Sequence, residues 1–144
     1  MAVLVQDVMI KDIVTISDEA TIGEAVEVFA KKRVGCLPMI DENGLLTGFL
    51  SECDIVDYVL RNVRRRNNEY NNVRAWYQVD CFTMYLKNCV NDKAFAAATH
   101  HVITVDATDT VRNVSKLIQK KHLKNIPVID DGKLVGVLTR NDII

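Results

Sequence analysis

Hydrophobic and polar residues follow one another along this chain in an order that predicts a β-α-β-β-α unit. An extended apolar segment, residues 13–16, comes first. A stripe with helical spacing follows it, and its apolar positions are Ile22, Ala25, Val26, Phe29 and Ala30. Two short apolar runs, 37–40 and 46–50, flank an Asn-Gly pair, which is a strong hairpin signal. A second helical stripe begins after Ser51.

The same order occurs again in the second half of the chain. The predicted elements are a strand, a helix, two hairpin strands and the start of a last helix, at residues 102–105, 110–122, 126–129, 134–138 and Thr139. The copies correspond at a spacing of 89 residues before the hairpin turn (Thr15 to Thr104) and 88 residues after it (Gly48 to Gly136). A spacing of this size indicates a duplicated half-domain and not a solenoid of short repeats.

The two copies leave a connecting segment between them. We assign residues 1–66 to the first repeat, residues 67–98 to the connection and residues 99–144 to the second repeat. The connection carries enough apolar side chains to predict at least one helix packed between the repeats. Alternatively, it docks a partner or a second copy of the chain, with Trp76 and Tyr77 as anchors.

The second repeat is shorter than the first at its end. The last helix of repeat one continues to about Arg66, whereas the chain stops two residues after Asp142 in repeat two. We expect that this helix has been truncated, because the apolar stripe that repeat one uses for packing has no counterpart. A disordered or missing tail that completes the helix is the alternative.

Composition narrows the class of protein. Of the 144 residues, 49% are hydrophobic, which suits one core shared by two halves that are each too small to be stable alone. The net charge of −1 favours neither nucleic acid nor a membrane surface, and the longest apolar runs are far short of a bilayer span. Four cysteines without a CxxC pair predict free thiols, without zinc or disulfides. We therefore expect a cytoplasmic protein without membrane insertion.

An arginine-rich run, residues 61–68, lies where the second helix of repeat one is predicted to end. Cations there suit the negative end of the helix dipole, so a solvated helix end explains the run. Binding of an anionic ligand or a nucleic acid is the alternative. Nucleic acid is not expected, because the rest of the chain is nearly neutral.

One polar motif occurs in both halves, with Ser51 and Asp54 in repeat one and Thr139 and Asp142 in repeat two. Each hydroxyl residue follows a strand, and each carboxylate comes three residues later at a predicted helix start. A capping box has this spacing, so the motif can be purely structural. A helix N-terminus also binds phosphate, and a carboxylate at this distance can accept hydrogen bonds from ribose hydroxyls. The repeated motif therefore also predicts a pair of nucleotide sites, and the two roles are compatible.

The order and spacing of these motifs resemble a known family. Each half contains an extended V-T-I or I-T-V segment, an amphipathic helix, an L-P or I-P pair before a strand, a glycine turn and the pattern G-h-h-S/T-x-x-D, where h is hydrophobic. This combination resembles the cystathionine-β-synthase (CBS) domain, and two copies resemble a CBS pair, or Bateman module. The resemblance implies an α/β fold of the α+β type, in which two β-α-β-β-α repeats pack as a pseudo-symmetric pair with a helical insert between them.

The resemblance also implies a regulatory module that senses adenine-containing nucleotides in the clefts between the repeats. Occupancy would be coupled to a partner or an attached domain, and the chain is expected to form a homodimer. The expected ligands are AMP, ADP or ATP, with NAD or S-adenosylmethionine as further candidates. No P-loop or HExxH motif accompanies the repeats, so neither an enzymatic activity nor a metal is expected. A ligand-free CBS scaffold for dimerisation or interaction and a nucleic-acid-linked regulator are the alternatives.

The resemblance implies which residues form each cleft, because the motif of one repeat faces two regions of the other. One is the first-strand region, and the other is the pre-proline pair, which is Gly35–Cys36 in repeat one and Lys124–Asn125 in repeat two. Site one would contain Ser51, Asp54, Thr99, Ile103, Lys124 and Asn125. Site two would contain Thr139, Arg140, Asp142, Ile10, Val14, Gly35 and Cys36. In both sites the resemblance assigns the ribose to the aspartate, the phosphate to the hydroxyl residue and the adenine to apolar residues and backbone groups.

The two sites differ at the position before the first strand. Repeat two has Thr99 there, as the family often does, whereas repeat one has Ile10, so the adenine end of site two departs from the family pattern. Site one also has His100, His101 and Lys124 nearby as phosphate partners, unless the histidines are loop residues without a role. These differences favour site one.

Overall fold

The computed structural model describes residues 2–66 and 79–143, which contain two three-stranded sheets. In chain order the elements are α1 (Val5–Val8), β1 (Ile16–Ser17), α2 (Ile22–Lys32), β2 (Cys36–Ile40), β3 (Leu46–Ser51), α3 (Glu52–Arg66), α4 (Val79–Cys89), a 3-10 turn (Ala94–Ala96), β4 (Val105–Asp106), α5 (Val111–Lys121), β5 (Asn125–Asp130), β6 (Lys133–Thr139) and α6 (Arg140–Ile143). Trp76 and Tyr77 lie outside the described residues, so their docking role stays a prediction. Within the described ranges, no helix is both long enough and apolar enough to cross a bilayer.

Repeat one folds as a β-α-β-β-α unit, as its pattern predicts. Its sheet has the order β1-β2-β3, with β1 parallel to β2 and β2 antiparallel to β3. Thr21 caps α2 by accepting a 3.2 Å hydrogen bond from the Glu24 amide, and Arg33 ends the helix in the left-handed conformation with φ of 52°. Gly44 turns the hairpin with φ of 81°, which glycine adopts without strain.

Repeat two has the same architecture, with strand order β4-β5-β6 and the same strand directions. Thr110 caps α5 by accepting a 3.2 Å hydrogen bond from the Asn113 amide, and His122 ends the helix with φ of 55°. The helix ends of the two repeats therefore have the same backbone conformation, as a duplication predicts.

The first strand of each repeat is displaced from its prediction. The patterns predict strands at residues 13–16 and 102–105, whereas the structure has Ile16–Ser17 and Val105–Asp106. The strands are shifted because each first strand forms parallel ladder bonds with its hairpin at only two residues. Of the apolar residues that precede these strands, Val14 packs against the core of repeat one, whereas Ile103 is exposed.

Each repeat has its own core, and a short segment that leads into the other repeat completes it. We call residues 3–10 the leading segment of repeat one and residues 89–99 the leading segment of repeat two. The first packs on repeat two, and the second packs on repeat one. Val5 is fully buried in the core of repeat two, whose other members include Val114, Ile126, Val128 and Leu138. Conversely, the core of repeat one contains Cys89, Ala94 and Ala97. Residues 3–10 belong to repeat one in sequence and pack on repeat two in the fold.

Each leading segment thus packs on the opposite repeat, and we call this arrangement the exchange of leading segments. Backbone hydrogen bonds hold both segments in place and follow the pseudo-twofold symmetry of the two repeats. The equivalent hydrogen-bonded pairs, one from each half, are Ala94–Ala20 with Val5–Asp109, Ile22–Asp92 with Val111–Val3, and Thr99–Phe49 with Ile10–Val137. Because these contacts use the main chain, they depend little on side-chain identity and leave almost no signature in the sequence.

Helix α4, in the connecting segment, packs on the core of repeat one through Phe82, Leu86 and Cys89. The Tyr58 hydroxyl on α3 donates a 2.9 Å hydrogen bond to Asp92, just after α4. Burial and the neighbouring Asp92 carboxylate both raise the pKa of Tyr58. The helix predicted in the connection is therefore present, and it is tied to repeat one.

Candidate functional site

In repeat one, the end of β3 and the start of α3 form a reciprocal capping box. The Ser51 amide donates to Oδ2 of Asp54 at 2.9 Å, and the Asp54 amide donates to Oγ of Ser51 at 3.1 Å. The structural role predicted for this motif is confirmed. These two bonds use neither Oδ1 of Asp54 nor the hydroxyl hydrogen of Ser51, so both groups can serve a ligand.

In repeat two, the same two positions are bonded differently. The Thr139 amide donates to Oδ2 of Asp142 at 2.8 Å, and the Thr139 hydroxyl donates to the same oxygen at 2.9 Å. The hydroxyl hydrogen of Thr139 is therefore directed at a carboxylate, whereas the box of repeat one does not use that of Ser51. Motifs with identical spacing thus offer different donors to a ligand.

Each motif lies beside the leading segment of the other repeat. Thr99 exchanges two backbone hydrogen bonds, of 2.9 and 3.0 Å, with Phe49 on the strand that ends in the repeat-one motif. Ile10 exchanges two bonds of the same lengths with Val137 on the strand that ends in the repeat-two motif. The tertiary structure therefore brings residues 51–54 close to one leading segment and residues 139–142 close to the other.

The pre-proline pairs lie on their own repeats. Cys36 stands opposite Ser51 in the β2–β3 ladder, and Asn125 takes the same place beside the motif of repeat two. The Arg140 amide donates a 3.2 Å hydrogen bond to the Lys124 carbonyl. Among the described residues, no hydrogen bond joins either pair to the motif of the opposite repeat, so their assignment across the clefts stays a prediction.

The other candidate residues differ in exposure. Ile103 and Ile10 expose 40% and 43% of their surfaces, and Gly35 is also exposed. Val14 is half-buried and packs against the core of repeat one. Burial raises the pKa of the Cys36 thiol to about 11, so this side chain is uncharged at neutral pH.

The histidines next to Thr99 have different surroundings. His100 stacks on Phe95, with ring centroids 4.1 Å apart and 17° between the ring planes. Its Nε2 lies 2.6 Å from the Phe95 carbonyl oxygen. Both His100 and His101 are exposed residues. One nitrogen of His100 is thus engaged within the protein and is not directed at a phosphate. No pattern in the sequence indicated Phe95, because an aromatic residue five positions before a histidine is a weak signal.

An open pocket of about 560 Å³ lies at the far end of the repeat-one hairpin. Its lining is acidic and consists of Ser17, Asp18, Glu19, Ile40, Asp41, Glu42 and Asn43. Cys36 and Ile40 mark opposite ends of β2, so this pocket is separate from both candidate sites. Within residues 2–66 and 79–143, no three His, Cys, Asp or Glu side chains are grouped closely enough to hold a metal ion.

Comparison with known proteins identifies both repeats and finds relatives of the whole chain. The family model of the CBS domain matches residues 5–61 and 94–144. The uncharacterized protein MJ1426 of Methanocaldococcus jannaschii is 29% identical, over 98% of this chain and 89% of its own length. The chloroplastic CBS domain-containing protein CBSX1 of Arabidopsis thaliana is 25% identical, over 93% of this chain. The chain spans only 58% of CBSX1, so some of its relatives are longer.

Solved structures share the fold. The CBS domain of a membrane protein from Sphaerobacter thermophilus has a TM-score of 0.77 and 23% identity, over 99% of this chain and 86% of the other. CBSX2 in complex with AMP has a TM-score of 0.73 and 21% identity, over 98% and 92%. The CBS domain pair of protein MJ0100, in complex with 5′-methylthioadenosine and S-adenosyl-L-methionine, has a TM-score of 0.74 and 24% identity, over 99% and 94%. With both repeats matched by the family model and the fold shared along the whole chain, this protein belongs to the CBS domain family and carries two CBS domains in tandem.

Proposed function

We propose that this CBS pair is a regulatory module that binds adenine-containing nucleotides in two clefts between its repeats. A ligand that prefers one arrangement of the repeats shifts their population, and an attached domain or a separate partner responds to that shift. The observation that carries the proposal is the pairing of each leading segment with the strand before the S/T-x-x-D motif of the other repeat. The complexes of CBSX2 with AMP and of MJ0100 with two adenosine compounds support this ligand class.

At site one, we assign the ribose to Asp54 and the phosphate to Ser51. The capping box leaves Oδ1 of the carboxylate for ribose hydroxyls and the serine hydroxyl hydrogen for a phosphate oxygen. At the adenine end, Thr99 provides its hydroxyl, because its amide and carbonyl are bonded to Phe49, and Ile103 provides backbone groups and apolar surface. The pre-proline pair of repeat two is assigned to the phosphate end.

At site two, Asp142 takes the ribose and Thr139 takes the phosphate, with Arg140 adding a cation beside them. The Thr139 hydroxyl must turn away from Asp142 before it can donate to a phosphate. Ile10 also lacks the hydroxyl that Thr99 offers in the other cleft. Val14 and the pre-proline pair of repeat one belong to the same cleft. We therefore expect a given nucleotide to bind more tightly at site one.

We also propose a homodimer that assembles through helices α3 and α4. Val56 on α3 and Met84 on α4 expose 42% and 64% of their surfaces, which a second copy would cover. In sedimentation experiments, Met84→Glu is expected to shift the protein towards monomer. The control Val3→Glu changes a valine that is 53% exposed outside these helices, and it should leave the assembly unchanged. A monomeric wild-type protein would contradict the proposal.

The cytoplasmic location stays a prediction.

Thermal unfolding with a panel of ligands tests the nucleotide function. AMP, ADP, ATP, NAD, S-adenosylmethionine and cyclic dinucleotides are added one at a time to protein freed of carried-over nucleotide. A ligand at a hundred times its Kd should raise the free energy of unfolding by about 2.7 kcal/mol. Calorimetric titration then gives the number of sites. If none of these compounds stabilises the protein, the sensor function is wrong and a ligand-free scaffold is favoured.

A further inference from the structure

We infer that His100 is a positioning residue of site one, which holds Thr99 on strand β3 by fastening the turn formed by residues 95–100. This inference rests on the proposed nucleotide function, because the position of Thr99 affects binding only if site one takes a ligand. His100 would act through Thr99 and not through a contact of its own with the nucleotide.

The first contact that supports this role is a hydrogen bond back to the chain. Nε2 of His100 lies 2.6 Å from the carbonyl oxygen of Phe95. A carbonyl oxygen can only accept, so Nε2 carries the hydrogen in both the neutral and the protonated ring. This side-chain bond links the last residue of the turn to its first.

The second contact is the stack of His100 on Phe95, with centroids 4.1 Å apart. Phe95 is itself fixed on repeat one. It packs against the repeat-one core, and a Cβ added at Gly48 on β3 would lie 3.4 Å from its Cε2. The imidazole is therefore placed on a ring that already touches the strand of the motif.

The turn contacts β3 at two residues, Phe95 and Thr99, and His100 lies next to Thr99 in the chain and stacks on Phe95. Phe95 is anchored by its ring near Gly48, and Thr99 is anchored by two backbone hydrogen bonds with Phe49. Thr99 is exposed, so packing contributes little to its position. Without the imidazole, the turn keeps the 3.2 Å backbone bond from the Ala98 amide to the Phe95 carbonyl but loses the side-chain bond and the stack, so Thr99 can leave the edge of β3 more often.

The other leading segment lacks this arrangement and serves as an internal reference. By the spacing of 89 residues, Lys11 occupies the place of His100, and Gln6 occupies that of Phe95. Neither side chain can form an aromatic stack. Ile10 nevertheless makes the same backbone bonds with β6 that Thr99 makes with β3. The positioning role is therefore specific to site one.

Amide hydrogen exchange tests the positioning without any ligand. In His100→Ala, exchange at the Thr99 and Phe49 amides is expected to accelerate by about fivefold to tenfold, because one hydrogen bond and one ring stack are lost. The Ile10 amide should keep its wild-type rate. Lys11→Ala is the matched control at the equivalent position, and it should leave Thr99 unchanged. An unaltered rate at Thr99 in His100→Ala overturns the inference.

Titration of AMP into an Asp142→Ala background measures site one alone. Adding His100→Ala to this background is expected to weaken AMP binding by about fivefold, and adding His100→Phe, which keeps the stack and loses the donor, by less. Adding Lys11→Ala should change nothing. Faster exchange at Thr99 with unchanged AMP affinity would overturn the inference, because the role of His100 would then be purely structural. If no compound of the ligand panel binds the wild-type protein, the proposed function itself fails and the inference fails with it, a result that is recognisable without any His100 variant.

Discussion

Asp54 illustrates, for a single residue, how one side chain can hold the backbone and still serve a ligand. One of its oxygens accepts the Ser51 amide at 2.9 Å, and the Ser51 hydroxyl in return accepts the Asp54 amide. A carboxylate has about four acceptor positions, so this cap leaves room for ribose hydroxyls. Capping and binding are therefore two uses of the same residue.

Replacing the aspartate of one motif should remove one site and leave the fold. Asp54→Ala is expected to abolish nucleotide binding at site one, keep site two, and lower the free energy of unfolding by about 1 kcal/mol because the cap is lost. Asp142→Ala should do the reverse. Denaturant unfolding and calorimetric titration measure the two effects separately. Global unfolding of either variant would mean that the motif is purely structural.

Cys36 stands opposite Ser51 in the β2–β3 ladder and Cys53 follows Ser51 by two residues, but their thiols should react differently. Burial raises the pKa of Cys36 to about 11, whereas Cys53 is exposed. Only the thiolate reacts with iodoacetamide, so Cys53 should be modified first at pH 8. The rate at Cys36 should rise about tenfold per pH unit until the pH approaches that pKa. Peptide mapping by mass spectrometry measures both rates, and equal rates at pH 8 would contradict the buried environment of Cys36.

Among the elements, a glycine on the last strand of each hairpin determines how closely the leading segment can approach. A Cβ added at Gly136 on β6 would lie 2.9 Å from the Ile10 carbonyl oxygen and 2.6 Å from the Met9 sulfur. At the equivalent Gly48 on β3, the nearest atoms are 3.4 Å away or more. Met9 can change its side-chain conformation, but the Ile10 carbonyl accepts the Val137 amide and cannot withdraw without losing that bond.

The two glycines should therefore respond differently to the same substitution. Gly136→Ala is expected to destabilise the protein by about 1–3 kcal/mol, because the added methyl group displaces backbone. Gly48→Ala should change the stability by less than about 1 kcal/mol, because its contacts are ordinary and alanine restricts the unfolded chain. Urea unfolding measures the difference, and exchange at the Ile10 amide should rise only in Gly136→Ala. Equal destabilisation by both substitutions would show that the close approach at Gly136 is unimportant.

In the whole molecule, the exchange of leading segments makes the two repeats interdependent. The core of repeat two is completed by Val5, and that of repeat one by Ala94 and Ala97. Neither core is built from one continuous stretch of chain. A substitution in one leading segment should therefore first destabilise the repeat on which that segment packs.

Val5 allows a direct test of this dependence. Val5→Ala is expected to lower the free energy of unfolding by about 2 kcal/mol, because a fully buried side chain loses two methyl groups. The loss of exchange protection should appear in β4–β6 before it appears in β1–β3. Val3→Ala is the control, because that side chain is 53% exposed and the change should be within about 0.5 kcal/mol. Earlier loss of protection in repeat one would contradict the exchanged arrangement.

Local signals predicted a large part of the fold. The hairpin turn at Gly44 and the Ser51–Asp54 box both depend on residues within a few positions of each other. The repeat of these signals also identified the family, which the comparisons confirm. The first strands were displaced, because a ladder of two residues is set by its partner strand and not by its own pattern.

The sequence by itself determined the order of elements in each repeat, the helix caps and the two S/T-x-x-D motifs, because each of these is a short-range interaction that residue type specifies. The family resemblance placed Thr99 with the motif of repeat one and Ile10 with that of repeat two. Only the tertiary structure decided that backbone bonds join these leading segments to β3 and β6, how the Ser51 and Thr139 hydroxyls differ, and that His100 rests on Phe95. The physical reason is that the first of these contacts joins distant residues through backbone groups common to all amino acids, and the others depend on side-chain orientations that sequence spacing does not specify.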